Sequence, residues 1–119
     1  MNVRFETLAL ATVVIPEGRL DFGAAGGFQR QVEEVLAAAG TASAAVIIDC
    51  SALDYVSSAG LRVFLLATRA AQRAGIWFAL CALTPAVREV FDLSGSSRII
   101  SVHADRATAV AQAPQTPHE

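Results

Sequence analysis

Apolar residues fall in short blocks along this chain, and the spacing within each block changes from one to the next. Over residues 3–16, Arg4 and Glu6 alternate with Val3 and Phe5 as on a strand, followed by a run rich in Val, Ile, Leu and Thr. A fold-back near residues 7–9 would make this stretch an antiparallel pair, closed by Pro16-Glu17-Gly18. After a loop at residues 19–23, Phe28, Val32, Val35, Leu36 and Ala39 recur at helical spacing before Gly40, predicting the first helix. Residues 44–50 form a continuous, β-branched apolar run, the pattern of a strand covered on both faces.

A second helical stripe, Leu61, Phe64, Leu65, Thr68 and Ala71, leaves Arg62, Arg69 and Arg73 outside it and stops at Gly75, so this helix begins close to Ser57-Ser58. Residues 76–83 predict another buried strand. Thr84 then stands as N-cap before the first-turn Pro85, and Gly95 closes a helix carrying Val87, Val90 and Phe91. Residues 98–102 predict a last strand, Asp105 a cap for a short alanine-rich helix, and residues 114–119 a flexible tail behind a domain of residues 1–113. Strands alternating with helices imply an α/β fold: a mixed, mostly parallel sheet of about five strands with four helices, joined by right-handed crossovers.

Composition narrows the function. With 119 residues there is chain for one domain, and 54 % hydrophobic against 17 % charged residues exceeds what disordered chains carry. Arg30, Glu33, Asp49, Arg62, Arg69 and Arg88 break the apolar runs before any reaches the ~18–20 residues of a membrane span. The first residues lack a secretory leader pattern, and a cytoplasmic address is the expectation. The net charge is −2, and the nine basic residues are dispersed, which gives nucleic acid no concentrated positive face. Cys50 and Cys81 lie inside apolar runs and read as core filling, and neither a metal site nor a cofactor-binding motif stands out. The glycines Gly23, Gly26 and Gly27 do not directly follow a strand, as a dinucleotide fingerprint requires.

In open α/β sheets, sites gather beyond the carboxyl ends of the strands, and Ser57-Ser58 falls in such a loop. Four N–H groups are unpaired at the start of a helix and the dipole makes that end electropositive, so a hydroxyl there has three possible uses. It can cap the helix; it can be a nucleophile; it can accept a phosphate. A nucleophile needs a histidine base and an orienting carboxylate. Here Val56 replaces the first elbow glycine, and the histidines are His103, near the last strand, and His118, in the tail. A serine hydrolase is therefore the remote alternative, and a non-enzymatic role is expected. Phosphorylation needs an exposed hydroxyl, and adds about −1.5 to −2 charges and three acceptor oxygens.

The segment Ile47-Ile48-Asp49-Cys50-Ser51-Ala52-Leu53-Asp54-Tyr55-Val56-Ser57-Ser58-Ala59-Gly60-Leu61-Arg62-Val63 resembles the signature of the STAS domain family, best known as bacterial anti-sigma factor antagonists. Gly18-Arg19-Leu20-Asp21 resembles the family's loop before its first helix, and the run from Leu83 through Thr84-Pro85 to Gly95 its third helix. The resemblance implies a protein that binds an anti-sigma factor acting also as a serine kinase, that is released by phosphorylation and restored by a serine phosphatase, and so regulates sigma-factor-dependent transcription. By residue match the phosphoacceptor is Ser58, and the partner-binding surface comprises Asp21, Ser57, Ser58, Ala59, Gly60, Arg62, Thr84 and Pro85. Ser57 stands where phosphorylated members commonly carry Asp. The alternative that the family offers is a non-phosphorylated scaffold, or a small regulatory subunit of a stress-signalling or ABC-transporter complex.

Overall fold

The computed structural model describes residues 1–42 and 44–114. In chain order the elements are β1 (Asn2–Thr7), β2 (Ala11–Leu20), α1 (Phe22–Ala42), β3 (Ala45–Asp49), β4 (Leu53–Val56), α2 (Ser58–Ala74), β5 (Phe78–Cys81), α3 (Pro85–Ser94), a 3₁₀ turn (Ser96–Arg98), β6 (Val102–His103) and α4 (Arg106–Gln112). The sheet runs β1-β2-β3-β5-β6, with β4 paired to the far end of β2. Among the described residues only β1–β2 is antiparallel; every other pairing is parallel. The expected mixed, mostly parallel α/β architecture is therefore the one observed, with four helices and six strands among the described residues.

Two apolar layers enclose the sheet. On one face Val14, Val46, Ile48 and Leu80 pack with Phe28, Val32 and Leu36 of α1 and with Phe64 and Ala67 of α2. Phe28, Phe64 and Phe91 pack in sequence, with ring centroids 5.7 and 5.9 Å apart. On the other face Val13, Ile15 and Ile47 are covered by Ala109 and Ala113. Cys50 and Cys81 are free thiols within these layers, as core filling requires.

The boundaries differ most from expectation at four places, besides β5, which spans Phe78–Cys81 rather than 76–83. First, β2 does not close at Pro16 but runs on to Leu20. Leu8 N–H bonds to Ala11 O at 2.8 Å, and the register pairs Val3 with Pro16. Alternation from Leu8–Ala11 makes that pair non-hydrogen-bonded, so the missing proline N–H removes no bond from the β1–β2 ladder. Gly18, at φ 97°, then takes the register shift against β4. Second, α1 starts at Phe22, well before Phe28, because Asp21 caps it: the Asp21 carboxylate accepts from Ala24 N–H at 3.0 Å. At its other end the helix continues through Gly40 to Ala42.

Third, the stretch before Ser57 contains β4, which four residues were too short to reveal. Fourth, residues 96–98 turn as a 3₁₀ helix, and the last strand is Val102–His103 rather than 98–102. Asp105 caps α4 through Thr108 N–H at 2.7 Å, as expected. Most of the expected tail, residues 115–119 with His118, lies outside the described residues.

Candidate functional site

The site is built where β2 and β4 end side by side. Leu20 pairs with Val56 in parallel register, so the chain leaves both strands at the same sheet edge and starts α1 and α2 as neighbours. Ser57 ties the two starts together. Its N–H donates to Leu20 O at 2.9 Å, its hydroxyl donates to the same oxygen at 3.1 Å, and the hydroxyl oxygen accepts from Gly60 N–H at 3.1 Å. Ser57 is thus the N-cap of α2, with extended backbone (φ −83°, ψ 171°).

That assignment separates the roles of the two serines. Ser57 is half-buried and its hydroxyl is occupied, whereas Ser58 is exposed, occupies the first helical position, and forms no side-chain hydrogen bond among the described residues. Its oxygen stands free at the positive end of a helix that has no acidic residue in its first turn. Gly60 is buried against β2: a Cβ there would lie 2.6 Å from Leu20 Cγ and 2.8 Å from Leu20 O. This close approach seats α2 on the strand end, so Gly60 shapes the surface without presenting one. Ala59 is half-buried, and Arg62, one turn after Ser58, is exposed.

Asp21 is exposed at the start of α1, directly after the Leu20 carbonyl that Ser57 holds, so it flanks the serines. Thr84 and Pro85 lie elsewhere. Thr84 occupies the N-cap position of α3, as expected, but its hydroxyl makes no cap bond and donates instead to Leu53 O at 3.1 Å. Leu53 opens β4 and Val56 closes it, about 10 Å of strand apart. The expected contact surface is therefore two groups, at opposite ends of β4, with the exposed Asp54 and Tyr55 between them.

Two exposed aromatics stand next to these residues in the chain. Phe22, next to Asp21, is 83 % exposed on the first turn of α1. Tyr55 carries the Arg19 guanidinium 4.1 Å above its ring. Sequence reasoning passed over Phe22 as part of a loop; the signal available was a large aromatic beside a helix-capping aspartate in a glycine-rich stretch.

No nucleophilic constellation surrounds Ser58 among the described residues. His103 sits on β6 beside Trp77, at a ring separation of 5.7 Å, with its Nε2 3.4 Å from the Ser101 hydroxyl. The strongest electrostatic cluster lies apart from the serines: Arg106 of α4 bonds Asp49 at the end of β3 and Glu6 of β1. Burial pushes the Asp49 carboxyl up, but hydrogen bonds from Ser51 and the Arg106 guanidinium outweigh it and bring its pKa below the usual value.

Comparison with known proteins agrees with this architecture. A family model described as the STAS domain matches residues 2–109. The chain is 46 % identical over 66 residues to BtrV of Bordetella bronchiseptica, named as a candidate anti-sigma factor antagonist; the match covers 56 % of this chain and 57 % of BtrV. The chain thus spans little more than half the length of that relative. Its fold is similar to the crystal structure of TM1081 from Thermotoga maritima, a candidate anti-sigma factor antagonist, with a TM-score of 0.83 at 18 % identity, covering 92 % of each chain. It is also similar to the Bacillus cell fate determinant SpoIIAA in its phosphorylated form, with a TM-score of 0.67 at 20 % identity over 93 % of this chain and 98 % of that one.

Proposed function

The chain belongs to the STAS domain family, and from that premise we propose that it is an anti-sigma factor antagonist: it binds an anti-sigma factor that is also an ATP-dependent serine kinase. Phosphorylation of Ser58 by that kinase ends the complex, and a serine phosphatase restores it. The observation that carries this reading is the division of labour between the serines. Ser57 satisfies the helix end, which leaves the Ser58 hydroxyl exposed and, among the described residues, without a side-chain hydrogen bond. Antagonists named as such among the relatives support the class.

The energetics are consistent with a switch that needs no refolding. Weakening a complex ~1000-fold requires ~4 kcal/mol. A dianionic phosphate forced against a partner and cut off from water supplies that through desolvation and repulsion from acidic groups. In the free domain the α2 dipole returns only ~0.3–1 kcal/mol, and an i, i+4 pairing with Arg62 about 0.2–0.5 kcal/mol. Partner loss therefore dominates.

A second reading rests on one observation: Ser57 replaces the carboxylate that commonly precedes the acceptor. On that reading the same face serves a non-phosphorylated scaffold or a regulatory subunit. Affinity capture from source cells with the tagged chain, followed by mass spectrometry of the Ser58 peptide, separates the two. The switch predicts a serine kinase of the anti-sigma factor class and a phosphate on Ser58. A partner of another class with unmodified Ser58 contradicts it.

A further inference from the structure

The outer edge of β1 carries a self-complementary pattern. β1 pairs only with β2 and ends the sheet. In the hairpin, the hydrogen-bonded pairs follow from Leu8–Ala11 as Glu6–Val13, Arg4–Ile15 and Asn2–Glu17. The N–H and C=O groups of Val3, Phe5 and Thr7 therefore point away from β2, towards solvent. Three of the large exposed apolar residues, Met1, Phe5 (47 % exposed) and Leu8, lie on this strand and its turn. An edge of this kind is a template for another strand, and proteins that avoid such pairing place blocking charges or prolines on it.

The charges on this edge do not block a copy of the same strand. When two β1 strands run antiparallel with Phe5 opposite Phe5, the outward groups of Phe5 meet each other as a hydrogen-bonded pair, and those of Val3 meet those of Thr7. In the intervening non-hydrogen-bonded pairs, where side chains approach most closely, Arg4 of one copy faces Glu6 of the other, twice by symmetry. Shifting the register by two residues puts Phe5 opposite Val3 or Thr7 and moves Arg4 off Glu6. Within the chain Arg4 already bonds Glu17 and Glu6 bonds Arg106, so the facing copy's charges would join these pairs rather than meet unpaired side chains.

We propose that this protein self-associates through β1, forming a two-fold dimer with a continuous sheet in which Phe5 sits at the axis and Arg4–Glu6 pairs fix the register. The surface is remote in sequence from Ser58 and carries no part of the proposed switch, so the two readings stand or fall separately.

The test is sedimentation equilibrium over a range of concentrations, with circular dichroism to verify folding. Wild type is expected to dimerise reversibly. Arg4→Glu places carboxylates opposite carboxylates, and Glu6→Arg places guanidiniums opposite guanidiniums; each alone is expected to weaken self-association about tenfold or more. Mixed in equal amounts, the two variants are oppositely charged along the edge and regain wild-type association as a heterodimer. Wild type that stays monomeric up to about 1 mM, where ΔG of association is only about −4 kcal/mol, overturns the proposal. So does association that is indifferent to the charge changes, or a mixture that fails to recover it while both variants remain folded.

Discussion

The carbonyl oxygen of Leu20 accepts two hydrogen bonds from Ser57, one from its N–H at 2.9 Å and one from its hydroxyl at 3.1 Å. A single backbone oxygen at the end of β2 thereby fixes the first residue before α2. The same residue, Leu20, fills the space that a Cβ at Gly60 would need.

Ser57→Ala removes the cap of α2 and leaves Gly60 N–H without its acceptor, while Leu20 O keeps the Ser57 N–H. The expected loss is about 1 kcal/mol, measured by urea denaturation. Gly60→Ala gains up to about 1 kcal/mol of helix propensity but forces α2 from β2, a cost of about 1–3 kcal/mol. It should be net destabilising, and a stabilised Gly60→Ala variant would show that this contact is loose.

Acid stability should depend on Asp49. Its folded pKa lies below the unfolded value, so the ion pair with Arg106 contributes fully above the unfolded pKa near 4 and is lost as pH falls through the lower folded value. Asp49→Asn should flatten the fall of the melting temperature as the pH drops below about 4. At pH 7 the variant should lose roughly 1–3 kcal/mol, because Arg106 keeps only Glu6. An unchanged acid limb would remove Asp49 from this role.

The thiols should be inert while the chain is folded. Burial pushes the Cys81 thiol up to about 12, with Asp49 adding repulsion, and raises Cys50 well above the ordinary thiol value. Ellman's reagent at pH 8 should label neither in the native protein and both in guanidinium chloride. Rapid native labelling would place at least one thiol at the surface.

Ser58→Asp should leave the free domain at least as stable as wild type, by about 0.3–1 kcal/mol, since a carboxylate at the first position of α2 faces the positive helix end. Thermal denaturation at low salt checks this. A clear loss of stability would mean that the side chain is packed rather than free.

Much of this was legible in the sequence because periodic burial is a long-range signal. The stripe from Leu61 to Ala71, the Gly75 stop and the Thr84-Pro85 start place α2 and α3 to within a residue or two. What escaped depends on pairing between distant segments. Pro16 reads as a terminator, and only its partner Val3 shows that its missing N–H is harmless. β4 is four residues long and becomes a strand only beside the end of β2. Thr84 has the identity and position of a cap, yet Leu53 O claims its hydroxyl. At the site, Ser58 could be found from the local pattern, but which serine caps the helix is decided by Leu20, 37 positions away from Ser57. Phe22 was overlooked because its glycine-rich stretch reads as a loop, although Asp21 just before it marks the helix start.

The central claim is that the exposed Ser58 hydroxyl controls a docking face, and calorimetric titration of the anti-sigma factor kinase with three forms of the domain tests it most directly. Wild type and Ser58→Ala should bind alike, while the Ser58-phosphorylated domain should bind about 1000-fold more weakly, a difference of ~4 kcal/mol. Equal affinity of all three forms would contradict the account.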